Sequence, residues 1–266
     1  MPCAPRPLMS PTCSFRFLRA AFTGLICLAS ANAAAQERDA GLDASLLFAR
    51  ERGIEIFQRD RAAWLATDAA LAAGLQKTGA QGWITVRADG DWLVRFVAPC
   101  AAGVCSVLDV QLKGNRPKAR RLKTPAPLSA QEQATWKARE LALSVEFKPC
   151  SDRYNTVVIP AGGQDGNWVV YLLAATTDPN VVILAGHRRI TVSGDGRTVL
   201  KNEELSKSCL QVKKEKESAG LMVTHLLDPY PIETHMFTSL NYGVPLYVGT
   251  GNGLFVIDGG TITKAQ

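Results

Sequence analysis

The positions of the cysteines constrain the fold of this chain more than any other feature. Seven cysteines are present: Cys3, Cys13, Cys27, Cys100, Cys105, Cys150 and Cys209. The first three fall within an N-terminal stretch that has the features of an export signal. The other four therefore belong to the exported part of the chain. An even number of cysteines in an oxidising compartment favours disulfide bonds.

Residues 1–35 have the three parts of a cleavable signal peptide. Three arginines precede residue 20, no acid occurs before Glu37, and residues 20–29 form an apolar run too short to span a bilayer. Two Ala-x-Ala sequences follow, so we expect the mature chain to begin near Ala34 or Gln36. The mature protein is then periplasmic or secreted and does not span the membrane.

The charge and length of the mature chain exclude some classes of function. The signal peptide holds three of the 30 Lys and Arg residues and none of the 24 Asp and Glu residues, so the mature protein is only slightly basic. This balance and the export signal argue against nucleic acid as a partner. Roughly 230 residues remain, enough for one large or two small domains. We expect domains at residues 36–126 and 127–266.

The spacing of the mature cysteines indicates their pairing. Cys100 and Cys105 lie between two strand-like runs, where a hairpin would bring them together, and this leaves Cys150 to pair with Cys209. Zinc ligation is the alternative. Its ligand set would be one C-x4-C pair and two distant cysteines, a poor match to the usual C-x2-C pairs.

Periodicity predicts a helix followed by two hairpins. Residues 43–75 repeat apolar side chains at helical spacing after Asp43, a suitable N-cap. Strand-like runs at 82–86 and 92–97 flank an Asp-Gly turn, and a second pair occupies 106–113 and 118–123. A second helix is expected at 129–143, where Ser129 and Glu132 have the spacing of a capping box.

A similar order then recurs along the chain. The run from Asp165 through Trp168 resembles the run from Asp89 through Trp92, which suggests an α-β-β-β unit that occurs twice; chance similarity between two hairpins is the alternative. The order of a helix and then a Trp-led strand resembles the small exported PepSY-type binding domains. The fold class expected is α+β, with helices packed on antiparallel sheets.

The last third of the chain predicts a terminal β element. A strand is expected at 221–226, a short helix or turn at 232–240, and a hairpin formed by 245–248 and 254–257. A lone hairpin is only marginally stable, so this element should pack against the preceding sheet.

The three histidines suggest an alternative, metal-dependent function. His225 and His235 share a segment with Glu233, and His187 could add a further ligand to a zinc ion that activates water. The order from His225 onward resembles exported relatives of JAB/MPN-type metallopeptidases, whose pattern is H-x-H-P and then S-x-x-D. Val223 stands in place of the first His, and Thr238 with Asn241 in place of S-x-x-D. Two ligands of that pattern are therefore missing.

A basic run is the clearest candidate for a binding surface. Its six cations fall within eleven residues that contain no acid: Lys113, Arg116, Lys118, Arg120, Arg121 and Lys123. On a hairpin they would form a positive ridge for an acidic protein or an anionic envelope polymer. The alternative is an edge strand that charges protect from aggregation.

Taken together, the patterns predict a disulfide-stabilised binding or inhibitory protein without catalytic activity. No motif indicates a cofactor, since the Gly-rich run at 249–253 precedes a strand rather than a helix and no G-x-S-x-G sequence occurs. The alternative prediction is a metal-dependent hydrolase that uses His225, Glu233 and His235.

Overall fold

The computed structural model describes residues 20–101, 103–163, 165–213 and 219–265. The chain divides into two compact units, Met1–Ala44 and Ser45–Gln266. Of the predicted signal peptide, residues 1–19 lie outside the described part, and residues 20–35 have a helical backbone. Within the described residues we find no helix long and apolar enough to cross a membrane.

The described residues form three α-helices, one short 3-10 helix and fourteen β-strands. The helices are α1 (Ala20–Ala72), α2 (Ala130–Leu143) and α3 (Glu233–Tyr242), and the 3-10 helix is Leu75–Lys77. The first strands are β1 (Gly82–Ala88), β2 (Asp91–Cys100), β3 (Gly103–Lys113), β4 (Arg116–Pro127), β5 (Arg153–Pro160), β6 (Trp168–Ala175) and β7 (Val181–Ile183). The later strands are β8 (Arg188–Val192), β9 (Val199–Glu204), β10 (Gln211–Lys213), β11 (Leu221–Thr224), β12 (Leu246–Thr250), β13 (Gly253–Asp258) and β14 (Thr261–Lys264).

The strands form three four-stranded sheets and one two-stranded sheet. The first sheet has the order β1-β2-β3-β4 and the second has the order β5-β6-β8-β9, and both are antiparallel throughout. The C-terminal sheet has the order β11-β12-β13-β14 with one parallel pair, β11 and β12, while β7 pairs with β10. The predicted α+β class is confirmed.

The first predicted hairpin is confirmed together with its turn. Ala88 pairs with Asp91, so the loop contains only Asp89 and Gly90. Both loop residues have positive φ, 54° and 83°. These are the angles of a type I′ turn, which matches the right-handed twist of the flanking strands and which Asp-Gly adopts readily.

Helix α1 differs from its prediction at its start and on its buried face. It begins at Ala20, so Asp43 is not its N-cap, and the buried contacts to the first sheet are made by Ala62, Ala66 and Ala70. The larger Leu47 and Trp64, which belong to the apolar repeat within residues 43–75, are about half exposed. Short alanine side chains let the helix backbone approach the sheet closely, and the bulkier residues lie outside that contact.

Helix α2 packs between the first and second sheets. Its capping box is confirmed, because Glu132 N donates to Ser129 Oγ and Ser129 N donates to the Glu132 carboxylate. Trp136 packs with Ile84 of the first sheet, whereas Ala138 and Ala142 belong to the core of the second sheet.

The two antiparallel sheets share an arrangement that supports the predicted repeat. Trp92 and Trp168 each lie at the start of the second strand of their sheet, on the face that packs against the preceding helix. Trp168 is buried and Trp92 is half-buried. Each unit has four strands rather than the three of the expected α-β-β-β unit, and in the second unit β5 and β9 were not predicted. The β-branched run from Thr156 to Ile159 was the available signal for β5.

Helix α3 joins the C-terminal sheet to the second sheet, as expected for an element that is unstable alone. Phe237 packs with Tyr171 of the second sheet, and Met236 packs with Leu246 and Val248 of the C-terminal sheet. The two faces of this short helix therefore belong to two different cores, and its seven residues from Glu233 to Ser239 are all buried.

Gly53 allows α1 and α3 to approach closely. A Cβ atom at this position would lie 2.5 Å from the Glu233 carbonyl oxygen and would also overlap the Met236 side chain. The role of the glycine in the structure is to leave room for the neighbouring backbone.

Both predicted disulfides are present. Cys100–Cys105 closes the hairpin between β2 and β3, and Cys150–Cys209 joins residues 59 positions apart. The second bond ties the segment before β5 to the segment before β10 and so closes a much longer loop.

We expect Gly53→Ala to lower the free energy of unfolding by about 1–3 kcal/mol, because the added methyl group overlaps α3. Gly41→Ala is the matched control in the same helix, since no atom lies within 4 Å of its Cβ position. That change should raise the free energy of unfolding by about 0.5–1 kcal/mol through helix propensity. Urea denaturation of both variants measures the difference, and a loss of equal size in both would contradict the close contact.

We expect Cys150→Ala with Cys209→Ala to lower the free energy of unfolding by about 4 kcal/mol in the chain-entropy treatment, since the bond closes a long loop. Cys100→Ala with Cys105→Ala should cost only about 2 kcal/mol by the same treatment. Urea denaturation of the two double variants gives the order. The reverse order would show that loop length does not govern these bonds.

Candidate functional site

The six predicted cations, which we call the basic hairpin, all lie on the β3–β4 hairpin and are exposed. Strand β4 is the edge strand of the first sheet. Lys113 pairs with Arg116 across the turn, and the strands continue in register to Arg121. Lys123 lies in the irregular stretch beyond Arg121, before pairing resumes at Ala126.

The cations of the basic hairpin divide between the two faces of the sheet. Ala119 packs into the core on the α1 side, so the neighbours that alternate with it face the other way. Four cations share that opposite face: Lys113, Arg116, Lys118 and Arg120. On the α1 side, the Arg121 guanidinium donates to the Lys77 carbonyl oxygen at 3.2 Å.

Few of these charges are neutralised within the described part of the chain. Arg120 lies 3.5 Å from Asp109, but its side chain remains 74% exposed and Asp109 also pairs with Arg95 at 3.1 Å. The other five cations of the basic hairpin form no ion pair with a described residue. The hairpin therefore presents uncompensated positive charge to solvent.

A groove lies beside the basic hairpin, between α1 and the turns of both hairpins. We call it the tryptophan groove; its volume is about 390 Å³, and it is lined by Phe57, Gln58, Arg61, Ala62, Leu65, Arg87, Gly90, Asp91, Trp92, Leu112, Gly114 and Asn115. Gly114 and Asn115 are the turn residues of the basic hairpin itself. The groove therefore meets the basic hairpin at its turn, on the α1 side of the sheet, whereas Lys113, Arg116, Lys118 and Arg120 lie on the other face.

Arg87 and Trp92 give the tryptophan groove its chemical character. The Arg87 guanidinium lies 3.8 Å from the Trp92 ring centroid and donates to the Gly90 carbonyl oxygen at 2.9 Å. Arg61 adds a second exposed cation on the α1 side. Sequence reasoning missed the groove, although Arg87 and Trp92 are direct cross-strand partners in the predicted hairpin.

The three histidines meet at a second, smaller cavity. His187 directly precedes β8, His225 directly follows β11, and His235 lies in the first turn of α3. All three are buried and line one cavity of about 70 Å³, which we call the histidine pocket. The rings of His225 and His235 pack edge to face with centroids 4.8 Å apart.

Hydrogen bonds determine which ring nitrogen carries the proton in two of these histidines. Ala174 N donates to His187 Nδ1 at 3.0 Å, and Ile232 N donates to His235 Nδ1 at 3.1 Å. A neutral imidazole whose Nδ1 accepts must carry its proton on Nε2. His187 and His235 therefore present N–H donors at Nε2.

Burial keeps these two histidines neutral. It lowers the pKa of His187 to about 4. Burial, followed by the charges of His225 and His187, lowers the pKa of His235 to about 3. For His225, burial lowers the pKa although its Asp228 partner, 3.4 Å from Nε2, acts in the opposite direction.

Glu233 does not join the histidines. Its Oε1 accepts from the Tyr171 hydroxyl at 2.9 Å and from the Arg189 guanidinium at 2.6 Å. Burial opposes the charged form of Arg189, but Glu203 and Glu233 outweigh it and raise the pKa of this guanidinium. Buried Glu233 is thus one end of an ionic network that extends through half-buried Arg189 and Glu203 to exposed Lys201.

The residues of the alternative metal site do not fit a zinc ion. A ligating histidine offers a lone pair, but the Nδ1 lone pairs of His187 and His235 accept backbone N–H groups and their Nε2 atoms carry protons. The Glu233 carboxylate binds elsewhere. Across the described ranges, no group of three or more His, Cys, Asp or Glu side chains is placed to hold a metal.

We compared the chain with protein-family models, curated proteins and solved structures, and found no match in any of the three comparisons.

We expect the buried histidines to make the free energy of unfolding decrease as the pH is lowered. Each contributes stability above its unfolded pKa, near 6.5, which is lost as the pH falls towards the folded values of about 4 and about 3. His187→Asn with His235→Asn places an amide oxygen near each Nδ1 position and so keeps acceptors for both backbone N–H groups. Urea denaturation between pH 7 and pH 4 should show a smaller loss in this variant than in the parent chain.

Asp60 provides a reference with the opposite sign in the same experiment. Burial raises the pKa of this carboxyl group to about 6, although Asn155 donates to it at 3.0 Å. Its contribution is present at low pH and lost as the pH rises through about 6, and it is common to both proteins. If the free energy of unfolding changes with pH by the same amount in the histidine variant and in the parent chain, the imidazoles become protonated without destabilising the fold.

Proposed function

We propose that the mature chain is an exported binding protein, and that the basic hairpin and the tryptophan groove together bind an acidic segment of another protein. The observation that carries this proposal is a groove of about 390 Å³ that holds Arg61, Arg87 and Trp92 and that ends at the turn of a hairpin with five exposed cations in no ion pair with a described residue.

The charge of the surface supports an acidic partner. Complementary charge steers association and sets its salt dependence, whereas isolated exposed cations add little to fold stability. Protection of the edge strand β4 accounts for some cations there. It does not account for Arg61, which lies on α1 and, together with Arg87 of the other edge strand β1, extends the positive surface beyond β4.

The apolar part of the groove favours a protein over a uniform polyanion. Phe57, Leu65 and Trp92 are half-buried and offer aromatic and aliphatic surface between the cations. Aromatic and aliphatic anchors in a pocket supply much of the affinity at protein interfaces, with charged residues around them. An acidic segment with one aromatic side chain matches this surface, whereas an anionic envelope polymer uses only the charges.

Export to an oxidising compartment is part of the same proposal. The two disulfides are typical of periplasmic and secreted proteins, in agreement with the signal peptide expected at residues 1–35. An inhibitory or purely binding role is favoured over hydrolysis because the His225, Glu233 and His235 side chains do not converge on one point.

Binding of synthetic peptides tests the proposal. The probes are a heptapeptide of six glutamates with a central phenylalanine, a peptide of six glutamates, and polygalacturonate, each measured by calorimetry at low and high salt. We expect the phenylalanine peptide to bind most tightly and to weaken as salt is added. Tighter binding of polygalacturonate, with no preference for phenylalanine, would replace the protein partner with a polymer.

We expect Arg116→Glu, Arg120→Glu and Arg121→Glu together to weaken binding of the phenylalanine peptide about tenfold or more while leaving the fold intact. The control triple carries the same change in net charge at exposed cations elsewhere: Lys148→Glu, Arg153→Glu and Lys264→Glu. An equal loss in both triples would show that net charge alone, rather than the hairpin surface, determines binding.

A further inference from the structure

The histidine pocket contains a buried donor that no described residue satisfies. His187 is 3% exposed and its Nε2 atom has no hydrogen-bond partner in the described chain. Its proton is on this atom because Nδ1 accepts from Ala174 N. Buried donors are rarely left unpaired, since losing the hydrogen bond to water is costly. An acceptor atom at this point would satisfy it.

A second donor belongs to the same cavity. His235 also carries its proton on Nε2, which has no acceptor among the described residues, and its ring lines the pocket with that of His187. Both imidazoles are held neutral, so they offer hydrogen bonds without charge. Two such N–H groups in one cavity suit a group with one or two acceptor oxygens.

The size of the pocket limits what can enter it. Its volume of about 70 Å³ is several times the roughly 10–15 Å³ that one water molecule requires. It is well below the roughly 300–1,000 Å³ of pockets that enclose a drug-sized ligand. A head group of a few atoms therefore fits inside, and the rest of any larger ligand must lie outside.

The exposed residues that line the pocket are two leucines, one cation and the polar Ser208 and Thr224. Leu226 and Leu210 are exposed residues of its lining, with Leu226 at 68% exposure, and Lys207 is an exposed residue of the same lining. Exposed leucines beside a polar interior favour a ligand whose polar end is buried and whose apolar body covers the rim.

We propose that the histidine pocket binds the acyl end of a small apolar molecule, with its carbonyl or carboxylate oxygen accepting hydrogen bonds from His187 Nε2 and His235 Nε2. The apolar body of the ligand lies on Leu226 and Leu210. This site is separate from the basic hairpin and does not depend on the function proposed for that surface.

Titration of the mature chain with three small probes tests this proposal. Isobutyramide and isobutyrate both carry an acceptor oxygen on the same branched body, and isobutylamine carries only donors at neutral pH. Long-range ¹H–¹⁵N spectra of the histidine rings report the Nε2 atoms directly. We expect at least one acyl probe to shift the His187 and His235 signals saturably, and isobutylamine to leave them unchanged.

Two leucine variants separate the pocket from general hydrophobic binding. Leu226→Ser should raise the dissociation constant of the acyl probe roughly 3–10-fold by removing apolar surface at the rim. Leu227→Ser is the control, because Leu227 is exposed but does not line the pocket. Lys207→Gln distinguishes the two acyl classes, since it should weaken isobutyrate and leave isobutyramide unaffected.

Three results would overturn the proposal. The first is no saturable shift of either histidine with any acyl probe, as expected if the cavity holds water only. The second is an equal shift with isobutylamine, and the third is an equal effect of Leu226→Ser and Leu227→Ser. His187→Phe removes one donor, so in this variant the acyl probe should no longer shift the His235 signal. If the variant does not fold, the comparison of Leu226→Ser with Leu227→Ser decides the question.

Discussion

The packing of α1 residues 45–72 is the contact on which the rest of the second unit depends. Ala62, Ala66 and Ala70 lie against the first sheet, Ile56 belongs to the core of the second sheet, and Gly53 contacts α3. These contacts are made by alanines, by a glycine and by one buried isoleucine. The backbone of α1 therefore lies close to the first sheet, the second sheet and α3. Close packing of this kind tolerates little added volume.

Both candidate sites follow from that packing. The face of α1 that carries Phe57, Arg61 and Leu65 forms one wall of the tryptophan groove, so the groove exists only while α1 lies on the first sheet. Helix α3 brings His235 to the histidine pocket, and its position is set on one side by Gly53. A single helix therefore couples the core to two surfaces with different chemistry.

The two sites use electrostatics in opposite ways. The basic hairpin keeps its charges in water, where they act over about 10 Å and are weakened by salt. The histidine pocket buries its imidazoles and keeps them neutral, so its specificity depends on the direction of two N–H groups. The buried pair of Glu233 and Arg189 lies apart from both and ties α3 to β8.

The sequence by itself determined the features that depend on neighbours a few residues apart: the Asp89-Gly90 turn, the Ser129 capping box, the hairpins and the local disulfide, with the second disulfide following by elimination. Tertiary structure alone decided which face of α1 is buried, that Gly53 is a point of close approach, and that Glu233 turns to Arg189. It also decided that His187 and His235 are donors. The proton on an imidazole depends on what its other nitrogen meets, and here those partners are backbone groups placed by the fold.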